Sequence, residues 1–293
     1  MTVASQSMPF RGRPRVMVLG LGSRQHVVDE AEQARPLIEA VADIVAWDFT
    51  FTADLSRVDA DLALVFGGDG SILRAALQMG YRQVPVVGVN LGKLGFLADL
   101  RAKELLAVLP AIAAGEFRVI EHLMVECEVI RDDRQVWQRL ALNEVAVRAG
   151  EPFRMLQLHL YVDAEWVTTY SCDGLIVATP VGSTAHSLSA GGPILRKDLQ
   201  AVVISPISPH TLTNRPVVDS ADRVFDVQVV PPQTGAFAVV DGHVISELQP
   251  GDRVRIRRAE PKFKLVEVRG HGYYRTLREK LGWGGSLTAG DGR

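Results

Sequence analysis

Asp61-Leu62-Ala63-Leu64-Val65-Phe66-Gly67-Gly68-Asp69-Gly70-Ser71 is the stretch that decides the fold of the first part of the chain. The unbroken apolar run Leu62 to Phe66 reads as a strand buried on both faces, the mark of a parallel sheet covered by helices. The run stops at glycines, and Ser71 to Met79 then shows helical spacing. A strand that ends in glycine and opens a helix sets backbone N–H groups at the carboxyl edge of a sheet, where an anion is accommodated.

The same alternation extends to both sides. Arg15 to Gly20 is an apolar run stopped by glycine, Gln25 to Val41 is a polar helical stretch, and Ile44 to Trp47 and Val84 to Asn90 are further strands. Short apolar runs alternating with helices predict an α/β domain with a Rossmann-like parallel sheet over residues 1–118. A helix from about Lys103 to Ala114 leads out of it. From Arg118 the period changes to two, most clearly in Leu156-Gln157-Leu158-His159-Leu160-Tyr161-Val162-Asp163. Similar runs cover 125–130, 141–147, 224–230 and 254–256, with turn residues such as Asp132-Asp133 and Pro250-Gly251 between them. That pattern predicts an antiparallel β-sandwich over 119–271. A last helical turn, Tyr274 to Leu281, precedes a glycine-rich end that is expected to fray.

The 293 residues are 47% hydrophobic and 23% charged, enough for a sizeable core. A net charge of −2 gives no footprint for nucleic acid. No apolar run nears the roughly 20 residues of a membrane span, and the first fifteen residues lack the apolar core of a secretory signal. The two cysteines, Cys127 and Cys172, are too far apart for a CxxC site and have no histidine cluster around them. They read as buried small apolar residues in a cytoplasmic protein, without a dedicated metal site.

Four motifs carry chemistry. In the first, Gly67, Gly68 and Gly70 let the backbone approach a phosphate chain. Asp69 is the odd member there, since a carboxylate repels phosphates. It either holds Mg²⁺, accepts a proton from an attacking hydroxyl, or, with Ser71, caps the helix. The second, Asn90-Leu91-Gly92-Lys93-Leu94-Gly95-Phe96, again sets glycines after a strand. It borders the same crevice, with Phe96 either pressing on a ring or filling the core. The third is Leu142-Asn143-Glu144-Val145, two polar residues inside an apolar strand. Asn143 and Glu144 need partners, in a ribose or base edge or in an internal network. The fourth runs from Cys172-Asp173-Gly174 to Gly191-Gly192-Pro193, a strand followed by small and hydroxyl residues on which a flat ligand can lie.

In this order the pieces GGDGS, NLGKLGFL, NEV, DGLIVATPVGSTAHSLSAGGPI, SPISPHTLTNRPVV and VVDGH resemble the ATP-NAD kinase family over nearly the whole chain. The GGDG loop is shared with diacylglycerol and sphingosine kinases. The long GSTA block is not, and the chain lacks the third glycine of a dehydrogenase GxGxxG. The resemblance implies transfer of the γ-phosphate of ATP to the 2′-hydroxyl of the adenosine ribose of NAD. In it, Asp69 is the proton acceptor, and Gly67, Gly68, Gly70 and Ser71 hold phosphate. Asp69, Gly70, Phe96, Asn143, Glu144, Arg154, Asp173, Thr184, Ala185, His186, Ser187, Leu188, Ser189, Ser208 and His243 contact NAD. Mg²⁺ arrives with ATP, and the partners are these nucleotides and further copies of the chain in a homodimer or homotetramer, with no nucleic acid and no membrane. The tail from about residue 272 packs back on the first domain. Against the usual TPTGSTAY, Val181 lacks a hydroxyl and His186 replaces a tyrosine; His243 stands where glutamine is common.

Overall fold

In the computed structural model the strands Leu62–Phe66 and Val86–Asn90 are buried along their whole length, as a sheet covered on both faces requires. The structure describes residues 10, 12–92, 95–98, 100–151, 154–211, 214–267 and 273–282. By its internal contacts the chain forms two units, residues 121–263 and the segments on either side of them.

The first unit opens with β1 (Arg15–Gly20), α1 (Gln25–Val41), β2 (Asp43–Asp48), β3 (Leu62–Phe66), α2 (Asp69–Met79), β4 (Val86–Asn90), β5 (Leu100–Arg101), α3 (Ala102–Ala113) and β6 (Arg118–His122). The sheet order is β2-β1-β3-β4, then a late strand, Phe263–Glu267, then β6, with β5 on β4. β1 to β4 pair in parallel, and Leu265 of the late strand pairs with Val86 in the same sense. The apolar stripe Val27, Ala31, Ala34 and Ile38 of α1 joins Leu105, Leu109 and Ile112 of α3 on one face, against Val16, Val18, Leu62, Leu64, Val87 and Val89. On the other face Ile72 of α2 packs where Gly88 leaves room; a Cβ there would lie 2.7 Å from its Cδ1. Full burial of a side chain such as Ile38 or Ile72 stabilises the unit by about 1.5–3 kcal/mol.

The second unit is built from β7 (Val125–Arg131), β8 (Arg134–Ala141), β9 (Glu144–Ala149), β10 (Leu156–Val162), β11 (Glu165–Cys172), β12 (Gly174–Ala178), the short helix α4 (His186–Ser189), β13 (Ala201–Ile207), β14 (Val217–Ser220), β15 (Phe225–Val229), β16 (Ala236–Val240), β17 (His243–Leu248) and β18 (Arg253–Arg258). Two six-stranded antiparallel sheets run β11-β10-β15-β18-β7-β8 and β14-β13-β12-β9-β16-β17. Period two delivers alternate side chains into the space between them. Cys127, Val129, Leu158, Leu160, Val227 and Ile256 come from one sheet, and Val145, Val147, Leu175, Val177, Ile204 and Ala238 from the other. The expected α/β domain followed by an antiparallel sandwich is therefore observed. Cys127 and Cys172 are buried free thiols, and burial pushes them up to about 12 and about 11.

One element differs from the sequence reading. Residues 141–147 are not one strand: the chain leaves β8 in the first sheet after Ala141 and enters β9 in the second at Glu144. The N–H groups of Leu142, Asn143 and Glu144 go to the carboxylate of Asp241, so the ladder is interrupted there. The final helix spans Tyr273–Leu281, and the glycine-rich end from 283 lies outside the described residues, as does Lys93. Among the described residues no helix is long and apolar enough to cross a membrane.

Candidate active site

In the first unit, β3 ends at Phe66 and Gly67 turns the chain with a φ of +140°, a conformation open to glycine. Its N–H donates to Val89 O at 2.9 Å, so the turn is pinned to β4. Gly68 is the N-cap of α2 and Asp69 its first residue; no side chain caps the helix. The capping explanation for Asp69 and Ser71 therefore fails. Ser71 is buried beneath Gly67, at a distance that a Cβ on Gly67 would abolish. Gly68 and Gly70 are exposed, and a Cβ on either would meet nothing within 4 Å. Packing gives no reason for glycine at those two positions. Their lack of side chains leaves the helix N-terminus open, and such an end favours an anion.

The Asp69 carboxylate turns away from its own helix end. It accepts the N–H groups of Phe96 (2.8 Å, on Oδ2), Leu97 (2.9 Å) and Ala98 (3.1 Å, both on Oδ1). Gly95 makes this approach possible, since a Cβ there would lie 2.9 Å from Asp69 Cγ and 3.0 Å from Ala98 O. Asn90 ties the same loop from β4: its Nδ2 donates to Ala98 O at 2.9 Å and its Oδ1 accepts the Gly92 N–H at 2.7 Å. Phe96 is half-buried, with Lys280 of the last helix 5.2 Å from its ring centre. The two glycine motifs thus form one constellation, with Asp69 as its link.

In the second unit an analogous clamp centres on Asp241, which sequence reasoning passed over. Its Oδ2 accepts the Leu142 N–H at 2.8 Å, and its Oδ1 accepts those of Asn143 and Glu144 at 2.8 and 2.9 Å. The Asp241 N–H returns a bond to Glu144 O at 3.0 Å. Thr179, at the end of β12, donates through its hydroxyl to Leu142 O (2.6 Å) and through its N–H to Asn143 O (2.8 Å). Gly182 lies so close to Asn143 that a Cβ would be 2.8 Å from its Cα. Asn143 is half-buried, and Glu144 is buried with its Oε2 lacking a hydrogen-bond partner. Burial, and then the charge of Asp241, raise the Glu144 carboxyl to about 8. Burial raises Asp241 too, while its three amide donors pull the other way.

The other expected residues divide. Ser187 is buried and bonded to Ser205 at 2.9 Å, and the Thr184 hydroxyl donates to Val181 O at 3.2 Å, so both hydroxyls shape the loop. Ala185, His186 and Leu188 are half-buried and Ser189 is exposed. Burial and then the Arg148 charge lower His186 below the ordinary imidazole range. His243 is exposed and bonded through Nδ1 to Asp241 O at 3.0 Å, which places it at the Asn143–Glu144 turn. Asp173 and Ser208 are exposed at the other end of β12, where the Asp173 N–H donates to Ile207 O. The intervening strand separates that end from Thr179 by about 20 Å at ~3.3 Å per residue. Arg154 is exposed just before β10, outside both clusters of hydrogen bonds. Among the described residues no three His, Cys, Asp or Glu side chains converge on a metal position.

Residues 21–117 match the ATP-NAD kinase N-terminal domain and residues 142–268 the ATP-NAD kinase C-terminal domain. The chain is 53% identical over 274 residues to an NAD kinase of Rhodopirellula baltica, covering 94% of this chain and 88% of the relative. It is 40% identical to an NAD kinase of Geotalea daltonii, covering 85% and 88%. Among solved structures, an NAD kinase from Archaeoglobus fulgidus in complex with ATP superposes with a TM-score of 0.73 at 28% identity, covering 92% of this chain and 100% of that one. Yeast NADH kinase complexed with NADH shares the fold, with a TM-score of 0.86 at 22% identity over 96% and 90%. With both of its units matched and a relative this similar along almost its full length, the chain belongs to the ATP-NAD kinase family.

Proposed function

We propose that this chain phosphorylates NAD, moving the γ-phosphoryl group of ATP to the 2′-hydroxyl of the adenosine ribose and releasing NADP and ADP. The observation that carries the reading is the Asp69 carboxylate, held by three backbone amides beside two glycines that leave a helix N-terminus open. Oδ1 accepts two of those amides and Oδ2 only one, so Oδ2 keeps an acceptor position for a hydroxyl proton. A ribose hydroxyl is a poor nucleophile near neutral pH. Asp69 takes its proton as the oxygen attacks phosphorus, a contribution of about 10²–10⁴-fold. The helix N-terminus and the amides near Gly68 and Gly70 stabilise the charge on the transferring group. Positioning supplies most of the remainder.

ATP enters as its complex with Mg²⁺ or another divalent cation, which neutralises phosphate charge. Asn143, Glu144 and His243 meet the ribose and base edges of NAD, with Ala185, His186 and Leu188 lining its path. Asp173, Ser208 and Arg154 serve dinucleotide bound to a neighbouring copy in a homodimer or homotetramer; for Asp173 and Ser208 the length of β12 between them and Asn143 supports that division. The reading places the chain in the cytoplasm.

Asp69→Asn tests the mechanism. NADP formation from NAD, ATP and Mg²⁺ is expected to fall by about 10²–10⁴-fold, while calorimetry still detects NAD binding. Turnover near the wild-type value would remove Asp69 as the base. Failure of the wild-type chain to form NADP would remove the activity itself.

A further inference from the structure

Three hairpins of the sandwich turn on two consecutive residues with positive φ: Asp132-Asp133, Asp163-Ala164 and Asp241-Gly242. This is the geometry of the tight primed turn, for which Asp and Gly are favoured residues. In the first two, the aspartates are exposed, with Asp133 and Asp163 pairing with Arg253 and Arg223 at the surface. Asp241 is buried, at 6% exposure, although it occupies a hairpin tip. Its carboxylate faces inward onto three successive N–H groups of a different segment, the one where the chain changes sheets. Turn chemistry gives no reason for that burial.

Building on the proposed activity, we infer that Asp241 is a positioning residue for dinucleotide recognition: its carboxylate fixes the Asn143–Glu144 turn in the pose that presents both side chains to the ribose. Two features support a ligand-directed role over a purely structural one. The Glu144 Oε2 is buried without a hydrogen-bond partner, an arrangement that is costly unless a ligand group completes it. The clamp is also rigid from the opposite side, since Thr179 holds both Leu142 O and Asn143 O.

The two carboxyl groups are coupled. β12 and β16, which flank Glu144, carry no ionisable residue, and the neighbouring His243 favours the Asp241 anion. Three amide donors favour that anion as well, so the proton of the pair resides on Glu144. Glu144 then offers a hydroxyl donor to NAD at neutral pH, and loses it as pH rises through about 8.

The test is steady-state NADP formation by the full chain and by Asp241→Asn and Glu144→Gln, from pH 6 to 9.5, with KM for NAD and for ATP measured separately. In the wild type, KM for NAD should rise above about pH 8. Asp241→Asn should raise KM for NAD about tenfold at pH 7, leave KM for ATP within about twofold, and move the alkaline rise to lower pH because a negative neighbour is gone. Glu144→Gln should abolish the alkaline rise. An Asp241→Asn enzyme whose KM for NAD and alkaline rise match the wild type would overturn the inference, as would one that loses NAD and ATP affinity equally. Should Asp241→Asn not fold, Glu144→Gln decides: an alkaline rise that persists in it overturns the inference. A wild-type chain that forms no NADP signals failure of the underlying activity instead.

Discussion

Gly95→Ala perturbs the Asp69 clamp without touching the carboxylate itself. The added Cβ would lie 2.9 Å from Asp69 Cγ and 3.0 Å from Ala98 O, and closer still to Asp69 Oδ1. Ordinary carbon contacts need roughly 3.5–4 Å, so either the carboxylate or the 95–98 turn must move by about 0.5–1 Å. The hydrogen bonds at 2.8, 2.9 and 3.1 Å cannot all survive such a shift. Losing one charge-assisted bond costs about 2 kcal/mol of stability, which lowers Tm by roughly 4–8 °C for a domain of this size. The effect on chemistry is larger in proportion, because a displacement near 1 Å at the reacting group costs about 10²-fold in rate. The assay pairs a thermal melt with kcat and KM for NADP formation. The expected signature is a kcat about 100-fold lower with only a small rise in KM for NAD, since most of the proposed NAD contacts lie in the second unit. A Gly95→Ala enzyme with wild-type Tm and kcat would refute the idea that this turn holds the base in place.

Gly70→Ala should do the opposite to stability: its Cβ meets nothing within 4 Å, and alanine in a helix gains about 1 kcal/mol over glycine. Tm should therefore rise slightly in a thermal melt, while KM for ATP rises about tenfold, the equivalent of one lost phosphate contact. His122 is buried and neutral, and burial followed by the Lys197 charge lowers it to about 3. The unfolded chain binds a proton below its ordinary 6.5 and the folded one does not, so stability is complete above pH 6.5 and declines towards pH 3. At pH 5 the loss is about 2 kcal/mol, and denaturant midpoints at pH 5 and 7 should show His122→Leu spared that part of the decline.

The fold was legible where pattern and burial coincide. Leu62–Phe66 and Val86–Asn90 announce a doubly covered sheet because no polar residue interrupts them, and the alternation in Leu156–Val162 announces a face that packs on another sheet. The crossing at Leu142–Asn143 was not legible. Residues on both sides of it are apolar, and a period of two says nothing about which sheet a strand has joined. The late strand Phe263–Glu267 poses the same difficulty, since its pattern suits an antiparallel sandwich as well as a place beside β4. In the candidate site, Asp69 stood out as a carboxylate in a glycine-rich turn at the start of a helix. Its amide partners come from residues far along the chain, so the direction of its side chain could not be read. Asp241 was hidden by its neighbour: Asp-Gly announces a hairpin tip, and tips are ordinarily exposed.

The placement of Phe263–Glu267 between β4 and β6 has a consequence for biosynthesis. As the polypeptide emerges from the ribosome, every strand of the sandwich is out before this one. The nascent chain can thus complete its second sheet pair while the first sheet still presents an unfilled slot, with backbone donors and acceptors of β4 and β6 awaiting a partner. A message truncated just before Phe263 would yield a protein with an intact sandwich and a permanently open parallel sheet, prone to capture strands from other chains.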